Sequence, residues 1–336
     1  MRLGVGIVGL GNRWEGRYLP AIRSLADRFE VRAVCEQVSH RARRAATELN
    51  AVAADGFRVM AGRDDIDALL YLADQWYGTT PILAACDAGK AIYSAASLPG
   101  PRAEIDHLLA RVEQSGIAFM AELSKRHAAA TVRLKELIAT RLGQPRMLFC
   151  HQRAAQTPAG DRDEAVHARR NLIEMIDWCC YVIDRPPTSV VSVRHAAAGR
   201  EAESDYQMMS LDFSSGDSPG SGPLAQISSG QYIPASWEEA IGFRPPAALQ
   251  VACERGIAFI DLPTGLVWFD DAGRHQESLE SERPVDESML LQFHRATTSL
   301  VRRIGGLGDM VRALRILEAA AVSQEIGRRI PLADDC

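Results

Sequence analysis

Through its first 120 residues the chain alternates short apolar runs with amphipathic stretches, at a spacing that leaves few folds open. Strand-like runs fall at Gly4–Val8, Val31–Cys35, Ala68–Leu72, Ala91–Tyr93 and Ile117–Ala121. Helical patterns lie between them at Leu19–Arg28, Ser39–Leu49, Pro81–Ala88 and Ala103–Ser115. Alternation at this interval means βαβ units and a parallel sheet. Gly89 and Gly116 stand just past two of the helices, where a left-handed cap is needed.

Beyond about residue 125 the pattern changes. A helix at Ala130–Leu142 leads to a strand at Arg146–His151, a polar stretch and a helix at Asn171–Val182. Strand-like runs then recur near Val190–Val193, Gln207–Phe213, Ala225–Gln231, Leu249–Cys253, Ile257–Asp261 and Leu266–Phe269. Most are joined by turn-like segments such as SSGDSPGSGP, so a mainly antiparallel sheet is expected. Met310, Leu314, Leu317 and Ala321 form one apolar stripe of a closing helix, about 309–328. The expectation is an α/β protein with a dinucleotide-binding domain at 1–125 and an α+β domain with a large open sheet at 126–336.

At 336 residues, two domains are the natural prior, each able to bury its own core. A net charge of −5 gives no footprint for nucleic acid, and no run reaches the length of a membrane span. Seven cysteines without a CxxC point to neither a zinc site nor a disulfide framework, so a reducing cytoplasm is expected. Three lysines (Lys90, Lys125, Lys135) stand against thirty-five arginines, which leaves few candidates for a catalytic lysine.

Gly9 and Gly11, in GVGIVGLGN, fit the first two glycines of GxGxxG. They make the tight turn and let a pyrophosphate approach the backbone and the helix amino terminus, with Asn12 and Arg13 next in line. The third glycine position is Trp14, and Gly16 arrives two residues late, so the turn is rebuilt or longer. Glu36 ends the second strand, where an acid bonds a ribose hydroxyl, which favours NAD. Arg41, Arg43 and Arg44 follow it and leave NADP as the alternative.

The segment GKAIYSAASL (Gly89–Leu98) resembles the GKxVxxEKPL stretch of the Gfo/Idh/MocA oxidoreductases (glucose-fructose oxidoreductase, inositol dehydrogenase and relatives). The tail Arg312–Leu332 is similar to the closing helix and strand of that family, so the resemblance runs from residue 4 to about 332. It implies a Rossmann domain, an NAD(P) cofactor, a sugar, cyclitol or polyol substrate, and a homodimer or homotetramer formed through the carboxy-terminal sheet. It also implies an active-site lysine in the Glu-Lys-Pro triplet, but here the three positions are Ala95, Ala96 and Ser97.

The family's DxGxHxxD helix corresponds to RRNLIEMID (Arg169–Asp177): Asp177 agrees, Glu174 stands for the histidine and Arg170 for the first aspartate. Glu174 and Asp177 are three apart, so they share a helix face, and mutual repulsion would make one a stronger base. The alternative is a solvated pair, or one held by Arg169 or Arg170. Arg126 in SKRH matches an arginine of the family's NxRF-like loop and could clamp a substrate anion, while Lys125 is the one lysine placed to replace the missing one. In the loop ADQWYG (Ala73–Gly78), Asp74 and Trp76 are placed toward the cofactor and Tyr77 toward the substrate, or the aromatic pair forms a hydrophobic cover. Two functions follow: an NAD(P)-dependent oxidoreductase using Glu174, Asp177 or Lys125 for proton transfer, or a non-catalytic relative that binds a nucleotide or sugar-like ligand.

Overall fold

The computed structural model describes residues 1–73, 77–95, 98, 100–155, 162–196, 206–214, 218–237, 239–299 and 306–332. The chain divides into two compact units. One comprises Met1–Ser124 with Pro284–Asp309, the other Lys125–Arg283 with Met310–Cys336.

The first unit is built on a six-stranded parallel sheet of β1 (Leu3–Val8), β2 (Phe29–Cys35), β3 (Val52–Ala53), β4 (Ala68–Tyr71), β5 (Ala91–Ser94) and β6 (Phe119–Ala121). Its strand order is β3-β2-β1-β4-β5-β6, the doubly wound order that reverses between β1 and β4. Every residue of β1, β4 and β5 is buried, as strands covered on both faces require. The connections carry α1 (Leu19–Ser24), α2 (Ser39–Glu48), α3 (Phe57–Ala61), α4 (Thr80–Asp87) and α5 (Arg102–Ser115). Gly89 and Gly116 adopt φ of 65° and 63°, the left-handed caps expected of them.

Two features of this unit depart from the periodicity. The expected helix Leu19–Arg28 is short, and ahead of it Trp14–Tyr18 forms a π-helical turn with Trp14 and Tyr18 buried. Gly16 has nothing within 4 Å of where a Cβ would be, so it does not serve as the close-packing third glycine. A helix at Val285–Thr298 (α10 below) also belongs to this unit. It places Met289, Leu290 and Phe293 in the same core as β1 and β5 and sets Phe293 edge-on to Tyr93 at 5.9 Å.

The second unit holds α7 (Ala129–Leu137) and α8 (Arg162–Ile183), preceded by α6 (Ser124–His127) at the start of the unit. Its sheet contains β7 (Pro145–Ala155), β8 (Ser189–His195), β9 (Tyr206–Asp212), β10 (Leu224–Ile233), β11 (Leu249–Cys253), β12 (Ile257–Asp261), β13 (Gly265–Asp270), β14 (Gly273–Ser278) and β15 (Ile330–Pro331). The order is β14-β13-β12-β11-β7-β10-β9-β8-β15, and the neighbouring strands pair antiparallel except β7 with β10. A short α9 (Glu239–Gly242), α10 (Val285–Thr298) and α11 (Leu307–Ile326) complete the elements. The fold class is therefore α/β, with a Rossmann-type sheet and a separate, mainly antiparallel sheet.

On α8 the residues Ile173, Met175, Ile176, Trp178 and Cys179 are all at most 1% exposed. The helix is therefore buried round most of its circumference, and any acid on it needs a partner. One face of the large sheet is different. Register puts Val193, Met208, Met147, Phe149, Phe259 and Phe269 on that face, and Val193, Met147 and Phe269 are 40–53% exposed.

Candidate functional site

In the first unit the turn after β1 is shaped by its glycines. Gly9 and Gly11 take φ of 69° and 65°, and a Cβ on Gly9 would meet the Ala73 carbonyl oxygen at 2.9 Å. Only glycine meets both demands without strain. The Leu10 amide donates to Glu36 Oε2 at 2.7 Å, and the Gln37 amide to Glu36 Oε1 at 3.1 Å. Glu36 thus stands at the end of β2 against the glycine turn, where an acid that reads a ribose belongs. A cavity of about 190 Å³ opens beside the glycine turn at Leu10 and Gly11, lined also by Trp14, Glu15, Arg41 and Arg44. Arg41 donates to the Gly11 carbonyl at 3.1 Å, and Arg44 pairs with Glu15 at 3.4 Å.

Tyr77 lies in this unit with its ring edge-on to Phe57 at 5.5 Å and its hydroxyl 4.0 Å from Cys35 Sγ. Burial, together with Cys35, pushes its hydroxyl pKa up, so it stays protonated. Cys35 is the last residue of β2, which sets Tyr77 near Glu36. Asp74, Trp76, Ala96 and Ser97 lie outside the described residues. Ala95 is buried at 3% exposure.

An unforeseen cluster follows the glycine turn. Glu122, one residue past β6 and fully buried, accepts Arg13 at 2.9 Å and Arg17 at 3.0 Å, and Tyr18 donates its hydroxyl to the same carboxylate. Arg17 also pairs with Asp286. Where a third glycine would let helix and strand touch, this chain ties the turn to β6 through charge. The signal in the sequence was an acid set between apolar residues in FMAEL (Phe119–Leu123), a pattern that marks a buried carboxylate.

In the second unit, α6 and α8 come together. Arg126 grips Asp177 with two nitrogens, its Nε lying 2.5 Å from Oδ2, and its guanidinium lies over the Tyr181 ring at 5.1 Å. Lys125 Nζ lies 6.0 Å from the centre of the Trp178 ring. Glu174 is 7% exposed and pairs with Arg170 Nε at 3.2 Å. Glu174 thus meets Arg170, one of the two arginines named for the pair, whereas Asp177 is held by Arg126 of α6 instead. His127 completes α6. Burial and the neighbouring Arg126 charge push its pKa down to about 4, so its imidazole is neutral at pH 7.

Solved structures of similar shape share nearly the whole chain. Aldose-aldose oxidoreductase from Caulobacter crescentus, solved with glycerol, matches at TM-score 0.83 and 16% identity, covering 99% of this chain and 100% of that one. Levoglucosan dehydrogenase, solved with NADH and levoglucosan, matches at TM-score 0.82 and 14% identity over 99% and 100%. The chain has the fold of the Gfo/Idh/MocA-type sugar oxidoreductases. Myo-inositol 2-dehydrogenase from Lactobacillus plantarum carries it as well, at TM-score 0.76 and 17% identity over 99% and 100%. No protein-family model and no curated protein matches the chain. At these identities the likeness is one of fold, so chemistry has to come from the residues.

Proposed function

We propose that the protein is an NAD-dependent oxidoreductase acting on a sugar, cyclitol or related polyol. The observation that carries this reading is the glycine turn, with Gly9 and Gly11 left-handed and Glu36 set against it at the end of β2. The residues present fit a dinucleotide. Gly9, Gly11, Asn12 and Arg13 would lie along its pyrophosphate and Glu36 at its ribose, with Asp74, Trp76 and Tyr77 assigned to the same side. Tyr77 moves there from the substrate because its hydroxyl and ring are engaged by Cys35 and Phe57. When bound, the cofactor would supply a hydride acceptor. Arg126 and Lys125 are assigned to the substrate, with Glu174 and Asp177 as the acids beside them.

NAD is favoured over NADP because Glu36 would repel a 2′-phosphate, while Arg41 and Arg44 already have protein acceptors. Titration calorimetry is expected to give tighter binding of NAD than of NADP. A preference for NADP would move the ribose assignment to Arg41 and Arg44, and binding of neither would end the oxidoreductase reading. The enzyme test itself is NAD reduction with a panel of polyols that includes myo-inositol and glycerol.

The second reading, a non-catalytic relative, draws on the ion pairs at Glu174 and Asp177 together with alanine at positions 95 and 96. A carboxylate whose oxygens are engaged by a guanidinium is not free to meet a substrate hydroxyl. Under this reading NAD binds but no polyol reduces it.

We further assign the half-exposed apolar face of the large sheet to self-association as a homodimer or homotetramer. Large apolar side chains left 40–53% exposed on one sheet face, as Val193, Met147 and Phe269 are, suit such an interface. Phe149→Glu with Phe269→Glu is expected to lower the mass measured by light scattering to that of one chain. An unchanged multimer would exclude this face.

A further inference from the structure

We propose that His127, at the end of α6, is the group that takes the substrate hydroxyl proton, in place of either acid on α8. The inference rests on the oxidoreductase reading above. Three observations carry it. First, both acids on α8 are committed to arginines: Asp177 to two nitrogens of Arg126, and Glu174 to Arg170. Second, the residues just before His127 are anchored on α8, Arg126 at Asp177 and Tyr181, and Lys125 over Trp178. The imidazole is therefore attached to a fixed backbone beside the residues expected to meet substrate, as a positioned base must be. Third, the ring is half-buried, and among the described residues no hydrogen bond engages either of its nitrogens. One nitrogen of a neutral imidazole carries a free lone pair.

Electrostatics keeps that lone pair available. Burial and Arg126 disfavour the imidazolium, while Lys125 on α6 and Arg169, Arg170, Glu174 and Asp177 on α8 are charges on the same two helices. Such a base is weak, and a weak base suffices here. As the hydride leaves carbon, the hydroxyl turns into a protonated carbonyl, an acid far stronger than an alcohol. The step balances as follows. The substrate C–H bond breaks and its electron pair goes with the hydrogen to an oxidised nicotinamide. The O–H bond breaks, an N–H bond forms on the imidazole, and the carbinol becomes a carbonyl. The imidazolium, destabilised by Arg126, then returns its proton to water.

The test compares the full-length wild type with His127→Gln and His127→Phe. Each is assayed by NAD reduction with the polyol panel, by calorimetry with NAD, and by NMR of histidine-labelled protein. Both His127 variants are expected to lower turnover by about 10² to 10⁴, the usual worth of a positioned base, with NAD affinity unchanged. Independently of turnover, the NMR signal lost in His127→Gln should titrate near pH 4 in the wild type and shift when myo-inositol is added with NAD. A working wild type beside equally active His127 variants overturns the role of His127 alone, as does a His127 signal that does not move when myo-inositol is added with NAD. A wild type that binds NAD yet reduces none with any polyol ends the oxidoreductase reading, and this role with it.

Discussion

Replacing Glu122 with alanine is expected to destabilise the first unit by about 3–5 kcal/mol, the usual consequence of removing one partner from a buried ion pair. The carboxylate is fully buried and serves Arg13, Arg17 and the Tyr18 hydroxyl together. Its loss strands two guanidiniums that are only about a quarter exposed. Arg17 keeps Asp286, whereas Arg13 loses the ion pair that ties it to β6 beside the glycine turn. NAD affinity should therefore fall along with stability. Tyr18→Phe removes a single hydrogen bond to a charged group and should cost less, about 1.5–3 kcal/mol. Urea unfolding of the three proteins orders them. An alanine variant as stable as the wild type would mean that the cluster is solvated in solution and does not hold the turn.

The second large effect is expected at Arg126. Arg126→Met takes the guanidinium away from the buried Asp177 carboxylate, 2% exposed, and should also cost about 3–5 kcal/mol. Asp177→Leu added to Arg126→Met removes that charge and should restore much of the loss, since an apolar pair of similar volume often replaces a buried ion pair at little cost. Urea unfolding of the single and double variants forms the cycle. If the double variant is no more stable than Arg126→Met, the pair is not what holds α6 to α8. The rings of Trp178 and Tyr181, which receive Lys125 and Arg126, would then be the stronger anchor.

Histidine adds a pH dependence of its own. The folded pKa of His127 lies below that of an unfolded histidine, so the unfolded chain binds more protons between about pH 6.5 and 4. Its contribution to stability is present above the unfolded value and is lost as pH falls through that window. The sign is the same as for a carboxylate of depressed pKa, though the cause is burial of a neutral ring.

Much of the frame was legible from local pattern. Alternating apolar runs set the strands of the parallel sheet, and glycines at positions 89 and 116 ended helices in the left-handed conformation. Gly9, Gly11 and Glu36 were readable because a tight turn and a strand-end acid leave marks within about thirty residues. The resemblance to the Gfo/Idh/MocA proteins reached the whole fold, since the order of elements survives where identity does not. The missing chemistry was equally plain, because an alanine or a serine at a known position can be read without coordinates.

What only the tertiary structure decided are the partners. Arg13 meets Glu122 across 109 residues, Arg126 meets Asp177 across 51, and Arg17 meets Asp286 across 269. Periodicity reports which face of an element is apolar, but it carries no information about which distant charge will neutralise a buried one. For the same reason the place of α10 belongs to the tertiary structure: Met289 and Phe293 enter the core of the first unit after a return of the chain from the second. Trp14 shows the boundary between the two sources. Its bulk at the third glycine position foretold that the turn must be rebuilt. That the rebuilding takes the form of a π-helical turn tied by Glu122 depended on a strand more than a hundred residues away, because a buried charge is settled by what the whole fold brings within about 3 Å of it.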